Sequence, residues 1–520
     1  MAAGRNPAAA AAGAGSPGIV ATAIQLVTTM KLKLALGTAL LLGLGPATAV
    51  AADLTNLAAR VSLDPAQVNR LLAEKAAPLP AGPLQFAVSV PANWSESSGH
   101  WANEGGVAVW RLAIHSAGAE SLNLQLAETV LPEGATLYLQ APDGRYKHGP
   151  YDQSNLDLGG LWTPIVPGEW AVLEARMPAS ARQDFRLTVA SAQHGFLDFS
   201  KPALSKNHDP GLGQSGSCNV DVAADEGEPW ADQIRSVARI QIGGTGFCTG
   251  QLVNHTGGEL RYNFLTADHC GVGTDDGDTG PASSVVFYWN LQNASCGGNS
   301  EQADLSQTTT GADFLADDVN SDFTLLQLTQ IPPASYNVYL SGWDRGAATP
   351  ANGVSIHHPA GDVKKISFYD LSDGRVDGVV IDEGRAVDTW RIRWRLGTTE
   401  PGSSGAGLWN GGKRLVGVLS GGLASCNSQS EPDFFGRFEE AWEANPDAAG
   451  QLRAHLDSAN TGLIAINGRN ASATAAATAK NACGLQTGGG GGGGGSYGGG
   501  TLLILLGLAG LYRRLRRGPG

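Results

Sequence analysis

Three short strings lie far apart in this chain, and each carries one member of a reactive set. They are residues 265–270 (LTADHC), 321–326 (SDFTLL) and 400–405 (EPGSSG), and they contribute His269, Asp322 and Ser404. A serine hydroxyl is a poor nucleophile unless an imidazole takes its proton, and that imidazole needs a carboxylate on its other nitrogen. If the three residues act together, the fold must bring distant segments to one place.

Each string alone has an ordinary structural explanation. A single histidine is usually a surface or core residue, Asp322 opens an apolar run as a cap or turn residue does, and Gly-Ser-Ser-Gly is common in loops. All three residue types in the order His, Asp, Ser are far more specific. Together they predict a serine nucleophile activated by histidine, which is the chemistry of a serine protease.

The flanks of the histidine and serine strings support a common site. Residues 247–253 (FCTGQLV) precede His269 by one hairpin, and a bridge from Cys248 to Cys270 would pin the histidine loop against that strand. Residues 414–422 (RLVGVLSGG) are predicted to form a buried strand that runs into a glycine-rich edge. Such an edge receives a substrate backbone as an added strand.

Five further strings carry a family resemblance: residues 215–219 (SGSCN), 286–290 (VFYWN), 342–345 (GWDR), 356–359 (IHHP) and 433–437 (DFFGR). With them, residues 213–468, about half of the chain, resemble the bacterial lysyl endopeptidases, a trypsin-fold family of secreted serine proteases. The resemblance implies an all-β fold. It would contain a trypsin-like double β-barrel protease domain preceded by a β-sandwich-like propeptide.

Carried over by position, the resemblance assigns a role to each member of the set. His269 would be the general base, Asp322 its orienting carboxylate, and Ser404 the nucleophile that forms an acyl-enzyme. The backbone N–H groups of Gly402 and Ser404 would form the oxyanion hole, where loss of one donor typically costs about 10²–10³-fold in rate.

Asp433 is the candidate specificity residue. In the resembled family this segment carries the carboxylate at the base of the S1 pocket, and a buried carboxylate favours a basic P1 side chain. The resemblance implies lysine. The alternative is a structural ion pair between Asp433 and Arg437, because buried charges are normally paired.

Some positions depart from the family pattern. Ser420 stands where the family has a histidine near the pocket, and residues 373–388 contain no tryptophan at the equivalent place. The sequence therefore leaves the choice between lysine and arginine open. Asp268 is an additional carboxylate beside the histidine, and it either acts on the imidazole electrostatically or points to solvent.

The chain has six cysteines, an even number that is typical of a disulfide framework in an oxidising compartment. The resemblance implies that Cys218 pairs with Cys426 and Cys248 with Cys270. The family's third bridge would join Cys296 to a position that is Ala224 here. Cys296 therefore reaches Cys483 in the tail or remains a free thiol.

The length predicts several parts. A basic start at Met30, an apolar core and a small-residue end give residues 30–52 the pattern of a secretory signal peptide. The predicted parts are an N-terminal extension without structure (1–29), the signal peptide (30–52), a β-rich propeptide (53–206), the trypsin-like protease domain (207–470), an Ala/Thr- and Gly-rich linker (471–500), and a short transmembrane helix with an Arg-rich sorting tail (501–520).

The propeptide prediction rests on alternating apolar residues separated by turns: Ala108, Trp110, Leu112 and Ile114, then Leu122, Leu124 and Leu126. Residues 161–164 (LWTP) and 166–169 (VPGE) resemble propeptides of the same protease family, which cover the active site and assist folding. The alternative is a permanently attached binding domain. Processing is expected between Lys201 and Gly213, where Lys206 offers a bond that a lysine-specific enzyme cuts itself.

The C-terminal end combines a glycine tract, an apolar run at 501–512 and an arginine cluster at 513–517. The basic cluster marks a cytoplasmic flank, although the run is shorter than a full span. The arrangement resembles the GlyGly-CTERM sorting tails of Gram-negative bacteria, which a rhomboid-type protease removes. The alternative is an uncleaved anchor, and both place the catalytic part outside the cytoplasm, so the protein is expected to be secreted or at the cell surface.

The net charge of −13 argues against nucleic-acid binding. No cysteine–histidine spacing is typical of zinc, and the glycine tract lacks a phosphate-binding Lys-Ser/Thr, so neither a metal nor a cofactor is expected. The sequence predicts a secreted serine endopeptidase that cleaves protein substrates after lysine, with its own propeptide, signal peptidase and a rhomboid-type protease as partners. The alternatives are a broader Lys/Arg protease and a non-catalytic surface adhesin.

Overall fold

The computed structural model describes residues 56, 58–75, 82–156, 160–197, 212–273, 280–296, 303–370, 372–382 and 385–472, all within the unit Asp53–Gly520. The predicted signal peptide, the Lys206 processing site and the glycine-rich and sorting tails lie outside these residues. Among the described helices, none is both long and apolar enough to cross a membrane.

The N-terminal region, residues 58–197, is built almost entirely from strands. They are β1 Ala59–Ser62, β2 Leu84–Gln85, β3 Ala87–Ser95, β4 His100–Glu104, β5 Val107–His115, β6 Ser121–Val130, β7 Thr136–Gln140, β8 Lys147–Tyr151, β9 Leu161–Trp162, β10 Val166–Pro167, β11 Trp170–Pro178 and β12 Arg186–Gly195. One helix, α1 Pro65–Lys75, follows β1. It begins where Asp64 accepts the Ala66 N–H at 2.9 Å, as an N-cap does.

Two sheets of this region enclose one apolar core. The first has the order β1-β5-β11-β7-β8 with β4 beside β5, and the second has the order β10-β6-β12-β3 with β9 beside β6. The apolar residues that alternate along β5 and β6 all lie between the sheets: Ala108, Trp110, Leu112, Ile114, Leu122, Leu124 and Leu126. The region is therefore a β-sandwich, as the period-two pattern predicts.

The C-terminal region, residues 212–472, continues with short strands. They are β13 Val220–Asp221, β14 Val237–Ile242, β15 Gly246–Val253, β16 Asn263–Thr266, β17 Val272–Gly273, β18 Gly280–Pro281, β19 Val286–Trp289, β20 Thr308–Thr310, β21 Ala312–Asp318, β22 Phe323–Leu328, β23 Tyr339–Leu340, β24 Gly342–Asp344, β25 Gly353–His357, β26 Lys365–Tyr369, β27 Ser372–Asp382, β28 Arg385–Ile392, β29 Gly407–Asn410, β30 Arg414–Gly422, β31 Asp433–Arg437, β32 Ala465–Ile466 and β33 Arg469–Asn470. The helices are α2 Ala231–Ile234, α3 Phe438–Ala441 and α4 Leu452–Leu456.

Each half of the C-terminal region forms one large sheet. The first sheet has the order β20-β19-β14-β15-β16-β22-β21, and the second has the order β13-β26-β25-β29-β30-β31-β28-β27 with β24 beside β30. The main strands pair antiparallel with their neighbours, and one buried apolar cluster extends across both sheets. The all-β class and the two-sheet arrangement expected of a trypsin-like fold are confirmed.

The sandwich packs directly on the first sheet of the C-terminal region. Strand β2 adds antiparallel to β15, with Leu84 opposite Phe247. The rings of Phe86 and Phe247 stack with centroids 4.0 Å apart, and the Ile165 N–H donates to the Tyr288 hydroxyl at 2.9 Å. A shared apolar cluster surrounds these contacts, so the two regions form a continuous interface.

Candidate active site

His269 lies in a 3₁₀ turn, Asp268–Cys270, directly after β16. Gly271 closes the turn with a φ of 70°, a conformation that favours glycine. The Cys248–Cys270 disulfide, with a Cα–Cα distance of 6.3 Å, ties the turn to β15. The turn and the disulfide hold the His269 imidazole at the end of β16, where the side chain is only 2% exposed.

Asp322 immediately precedes β22, which pairs antiparallel with β16, so the sheet places it beside His269. Its two carboxylate oxygens lie 3.1 and 3.0 Å from His269 Nδ1, and Oδ1 also accepts the His269 backbone N–H at 3.0 Å. Asp322 is fully buried and has a φ of 54°, which non-glycine residues rarely adopt.

The charge state of Asp322 follows from these contacts. Burial by itself raises the pKa of Asp322, but His269 and Arg385 lower it, and its pKa lies below the ordinary value. Asp322 is therefore ionised at neutral pH. An ionised carboxylate on Nδ1 fixes the imidazole orientation and leaves Nε2 for a second partner.

Ser404 lies in the loop before β29, between Gly402 and Gly405, whose φ values are 93° and 84°. A Cβ at Gly405 would lie only 2.2 Å from the Thr266 hydroxyl, so the loop approaches the first sheet too closely for any other residue. Thr249 holds the loop from β15. Its N–H donates to the Ser404 carbonyl and its hydroxyl to the Gly402 carbonyl, both at 2.8 Å.

Ser404 and His269 both line one cleft of about 460 Å³. The hydrogen bonds of the described residues join His269 to Asp322, but they do not join Ser404 to His269. Such contacts are often long in a free enzyme and shorten when substrate binds. The structure thus brings His269 and Ser404 to one cleft, with Asp322 buried against His269.

Gly402 and Ser404 also present two amide N–H groups beside the serine hydroxyl. Within the described residues neither group donates a hydrogen bond, whereas the amides of Ser403 and Gly405 donate to backbone carbonyls at 3.0 Å. Two uncommitted donors next to a nucleophile are what an oxyanion hole requires.

Asp433 is 1% exposed and lies behind the lining of the cleft, where it is hydrogen-bonded to Thr399 and Ala424. Its Oδ2 accepts Trp394 Nε1–H at 2.6 Å and the Thr399 hydroxyl at 2.7 Å, and Oδ1 accepts the Ala424 N–H at 3.2 Å. Burial raises the pKa of Asp433 to about 6, although the hydrogen bonds lower it. A Cβ at Gly422 would lie 1.9 Å from Oδ1, so glycine keeps the path to the carboxylate open.

The alternative ion pair between Asp433 and Arg437 is not found. Arg437 instead contacts Asp377 at 2.5 Å, Glu440 at 2.7 Å and Glu439 at 3.4 Å. Asp433 and Arg437 stand at opposite ends of β31, and four residues of an extended strand span about 13 Å, which is too far for a direct ion pair. Among the described residues, Asp433 has hydrogen-bond donors but no ion-pair partner.

Sequence reasoning missed Arg385, which lies at the start of β28. Its Nη1 is 2.8 Å from Asp322 Oδ1 and 3.8 Å from Asp268 Oδ2. Burial, reinforced by Asp322, raises the pKa of Asp268 to about 7, whereas Arg385 lowers it. Asp268 therefore faces a charged cluster rather than open solvent. The local string around Arg385 carries no signal of this long-range contact.

A second missed contact lies under the serine loop. His357 is fully buried, with Nδ1 2.8 Å from the Ser403 hydroxyl and Nε2 3.0 Å from the Ser367 hydroxyl. Burial lowers the pKa of His357 to about 3, so the ring is neutral. It orders the residue next to Ser404 without adding a charge. The IHHP string contributed to the family resemblance, but its spacing did not indicate this role.

The disulfides frame the same site. Cys218–Cys426, with a Cα–Cα distance of 5.4 Å, joins the start of the C-terminal region to the segment just beyond Ala424, and Cys248–Cys270 holds the histidine turn. Cys296 is also disulfide-bonded. Cys483, the partner suggested by the sequence, lies outside the described residues.

Comparison with known proteins identifies similar sequences. A family model described as the lysyl endopeptidase C-terminal domain matches residues 212–436. The lysyl endopeptidase of Pseudomonas aeruginosa is 30% identical over 394 residues, which cover 70% of this chain and 80% of that protein.

Solved structures with partial similarity are also proteases. The active form of the Rv3671c protease from M. tuberculosis has 17% identity and a TM-score of 0.30, with coverage of 49% of this chain and 93% of that one. A Glu endopeptidase in complex with MPD has 14% identity and a TM-score of 0.28, with coverage of 44% and 94%.

Proposed function

This chain belongs to the lysyl endopeptidase family and is a serine endopeptidase, and we propose that it hydrolyses peptide bonds after lysine through His269, Asp322 and Ser404. One observation carries the proposal: His269, hydrogen-bonded to buried Asp322, opens onto the same cleft as Ser404. Membership of this protease family argues against the alternative of a non-catalytic adhesin.

In the proposed reaction, His269 Nε2 takes the proton from the Ser404 hydroxyl as Oγ attacks the substrate carbonyl. The resulting oxyanion accepts hydrogen bonds from the Gly402 and Ser404 amides. The imidazolium then gives the proton to the leaving amine, and an acyl-enzyme forms. A water molecule, deprotonated by the same imidazole, attacks the ester and releases Ser404.

Asp433 supports a basic P1 residue. Its carboxylate is buried beneath the cleft and, among the described residues, accepts hydrogen bonds only from neutral donors. A substrate ammonium group reaching the floor of the pocket would supply the missing positive charge. The broader Lys/Arg preference remains the second candidate, because the longer guanidinium meets the same carboxylate.

The test is cleavage of three matched peptides with lysine, arginine or norleucine at one position, followed by mass spectrometry of the products. We expect cuts after lysine at the highest kcat/KM, because the ammonium pairs with Asp433. Equal rates for lysine and arginine would favour the broader protease. Equal rates for lysine and norleucine would contradict the role of Asp433.

We also propose that residues 53–206 are a propeptide that covers the active site. Gly82 lines the cleft together with His269 and Ser404, and β2 pairs antiparallel with the first two residues of β15. A Cβ at Gly402 would lie 3.3 Å from Leu84 Cδ2, which brings this strand next to the proposed oxyanion hole. The propeptide would therefore hinder the entry of substrate into the cleft.

Weakening the contact between the proposed propeptide and the cleft should expose Ser404 in the unprocessed chain. We expect Leu84→Asp to label with a fluorophosphonate about tenfold faster than wild type, since an apolar side chain contributes roughly 1.5 kcal/mol when buried. Labelling of the intact band is followed on a gel. Val130→Asp is the control because Val130 is 46% exposed in the sandwich. Equal rates for Leu84→Asp and wild type would contradict the cover.

The disulfides favour an oxidising compartment, and we propose secretion or display at the surface of a Gram-negative cell. Signal peptidase would act at the end of residues 30–52, and Lys206 would be an autocatalytic processing site. A rhomboid-type protease would remove the tail at 501–520. Peptide mapping of the purified extracellular protein tests all three boundaries.

A further inference from the structure

The buried carboxylate of Asp322 has an unusual third partner. Besides the backbone nitrogen and Nδ1 of His269, the Asp322 carboxylate contacts Arg385 Nη1 at 2.8 Å. The Asp322 side chain is fully buried and that of Arg385 is 11% exposed. A charge pair this well shielded from water is stronger and more directional than a surface pair.

Arg385 also reaches a second carboxylate. The same Nη1 lies 3.8 Å from Asp268 Oδ2, and the Asp268 side chain is 23% exposed. Asp268, Arg385, Asp322 and His269 therefore form one cluster of charged and ionisable groups. It is contributed by the histidine turn, the loop before β22 and the start of β28.

We propose that Arg385 is a positioning residue for peptide hydrolysis, which holds the Asp322 carboxylate against His269 and has its own charge balanced by Asp268. The inference rests on the proposed function. In this role Arg385 contacts neither the substrate nor the reacting atoms and acts through Asp322. Its guanidinium contacts Asp322 through Nη1, the nitrogen that also lies nearest Asp268.

The position of Arg385 has an electrostatic consequence. A permanent cation on Asp322 opposes the positive charge that His269 gains during the reaction. Asp268, whose pKa is raised to about 7, offsets that cation in its ionised form. Among the residues that the structure describes, the charged and titratable groups that act on Asp268 and Asp322 include His269, Arg385 and Asp317 on β21. Removing Arg385 and neutralising Asp268 should therefore change the pH profile in opposite directions.

The test uses the full, processed protein and a lysine peptide. For Arg385→Gln we expect kcat to fall about 10- to 100-fold with KM within about twofold, because a loosened Asp322 leaves the imidazole misplaced. The acidic limb of kcat/KM should move to higher pH. For Arg385→Lys we expect a smaller loss of kcat and an unchanged pH profile, since the charge remains.

Two further variants separate positioning from general stability. Arg375→Gln removes an arginine from the adjacent strand β27, where it pairs with Glu439, and should behave as wild type. Asp268→Asn leaves Arg385 in place and should move the acidic limb to lower pH. This variant also serves if Arg385→Gln does not fold.

The outcomes are distinguishable from failure of the proposed function. If wild type shows no cleavage that depends on Ser404, the proposed function itself fails. If wild type cleaves and folded Arg385→Gln keeps its kcat and pH profile, only the positioning role is overturned. Shifts in the same direction for Arg385→Gln and Asp268→Asn would also overturn it.

Discussion

Replacing Ser404 by alanine is expected to abolish peptide cleavage, with a fall in kcat of about 10⁶-fold. The loss is large because the hydroxyl is the only group in the proposed mechanism that bonds to the substrate carbonyl. The residual rate would come from the oxyanion donors and substrate binding alone. The measurement is single-turnover cleavage of a lysine peptide, together with fluorophosphonate labelling mapped by mass spectrometry.

The neighbouring Ser403 is a poor substitute for Ser404. It is fully buried, and its hydroxyl is 2.8 Å from the neutral His357 ring rather than facing the cleft. The matched control is Ser430→Ala, because Ser430 is an exposed serine that does not line the cleft. Undiminished cleavage by folded Ser404→Ala, or a label on another serine, would refute the nucleophile assignment.

The sequence predicts those parts of the molecule that short strings encode. The alternation of Trp110, Leu112 and Ile114 predicts a strand of a two-sheet core because its period of two puts all three on one face. The spacing around Ser404 likewise points to a glycine turn. These features depend on neighbours within a few residues, so a single sequence contains the information.

The contacts that the sequence did not predict join segments far apart in the chain. Arg385 meets Asp322 only because β28 and the loop before β22 come from different sheets that converge at the cleft. Trp394 and Thr399 meet Asp433 because they follow β28, which pairs with β31 so that Ile392 lies opposite Asp433. The local sequence around Arg385, Trp394 and Thr399 is typical of an ordinary strand and loop. Such pairs are fixed by tertiary packing and have no local pattern.

Replacing Asp433 by asparagine is expected to lower kcat/KM for a lysine peptide by about 10²- to 10³-fold, because removing one partner of a buried charge pair leaves the other unpaired. A norleucine peptide of similar shape should lose little, since it carries no charge. Comparing the two peptides on the same enzyme preparation cancels any general damage to the catalytic residues.

The pH dependence of that comparison gives a sharper test. The pKa of Asp433 is raised to about 6, first of all by burial, so the carboxylate is ionised above pH 6 and neutral below it. In wild type, the lysine-to-norleucine ratio of kcat/KM should therefore be high at pH 8 and fall as the pH drops through about 6. A general loss of catalysis at low pH affects both peptides equally and leaves the ratio unchanged. In Asp433→Asn the ratio should be low and flat, whereas a wild-type ratio that stays constant across this range would exclude Asp433 as the group that meets the lysine.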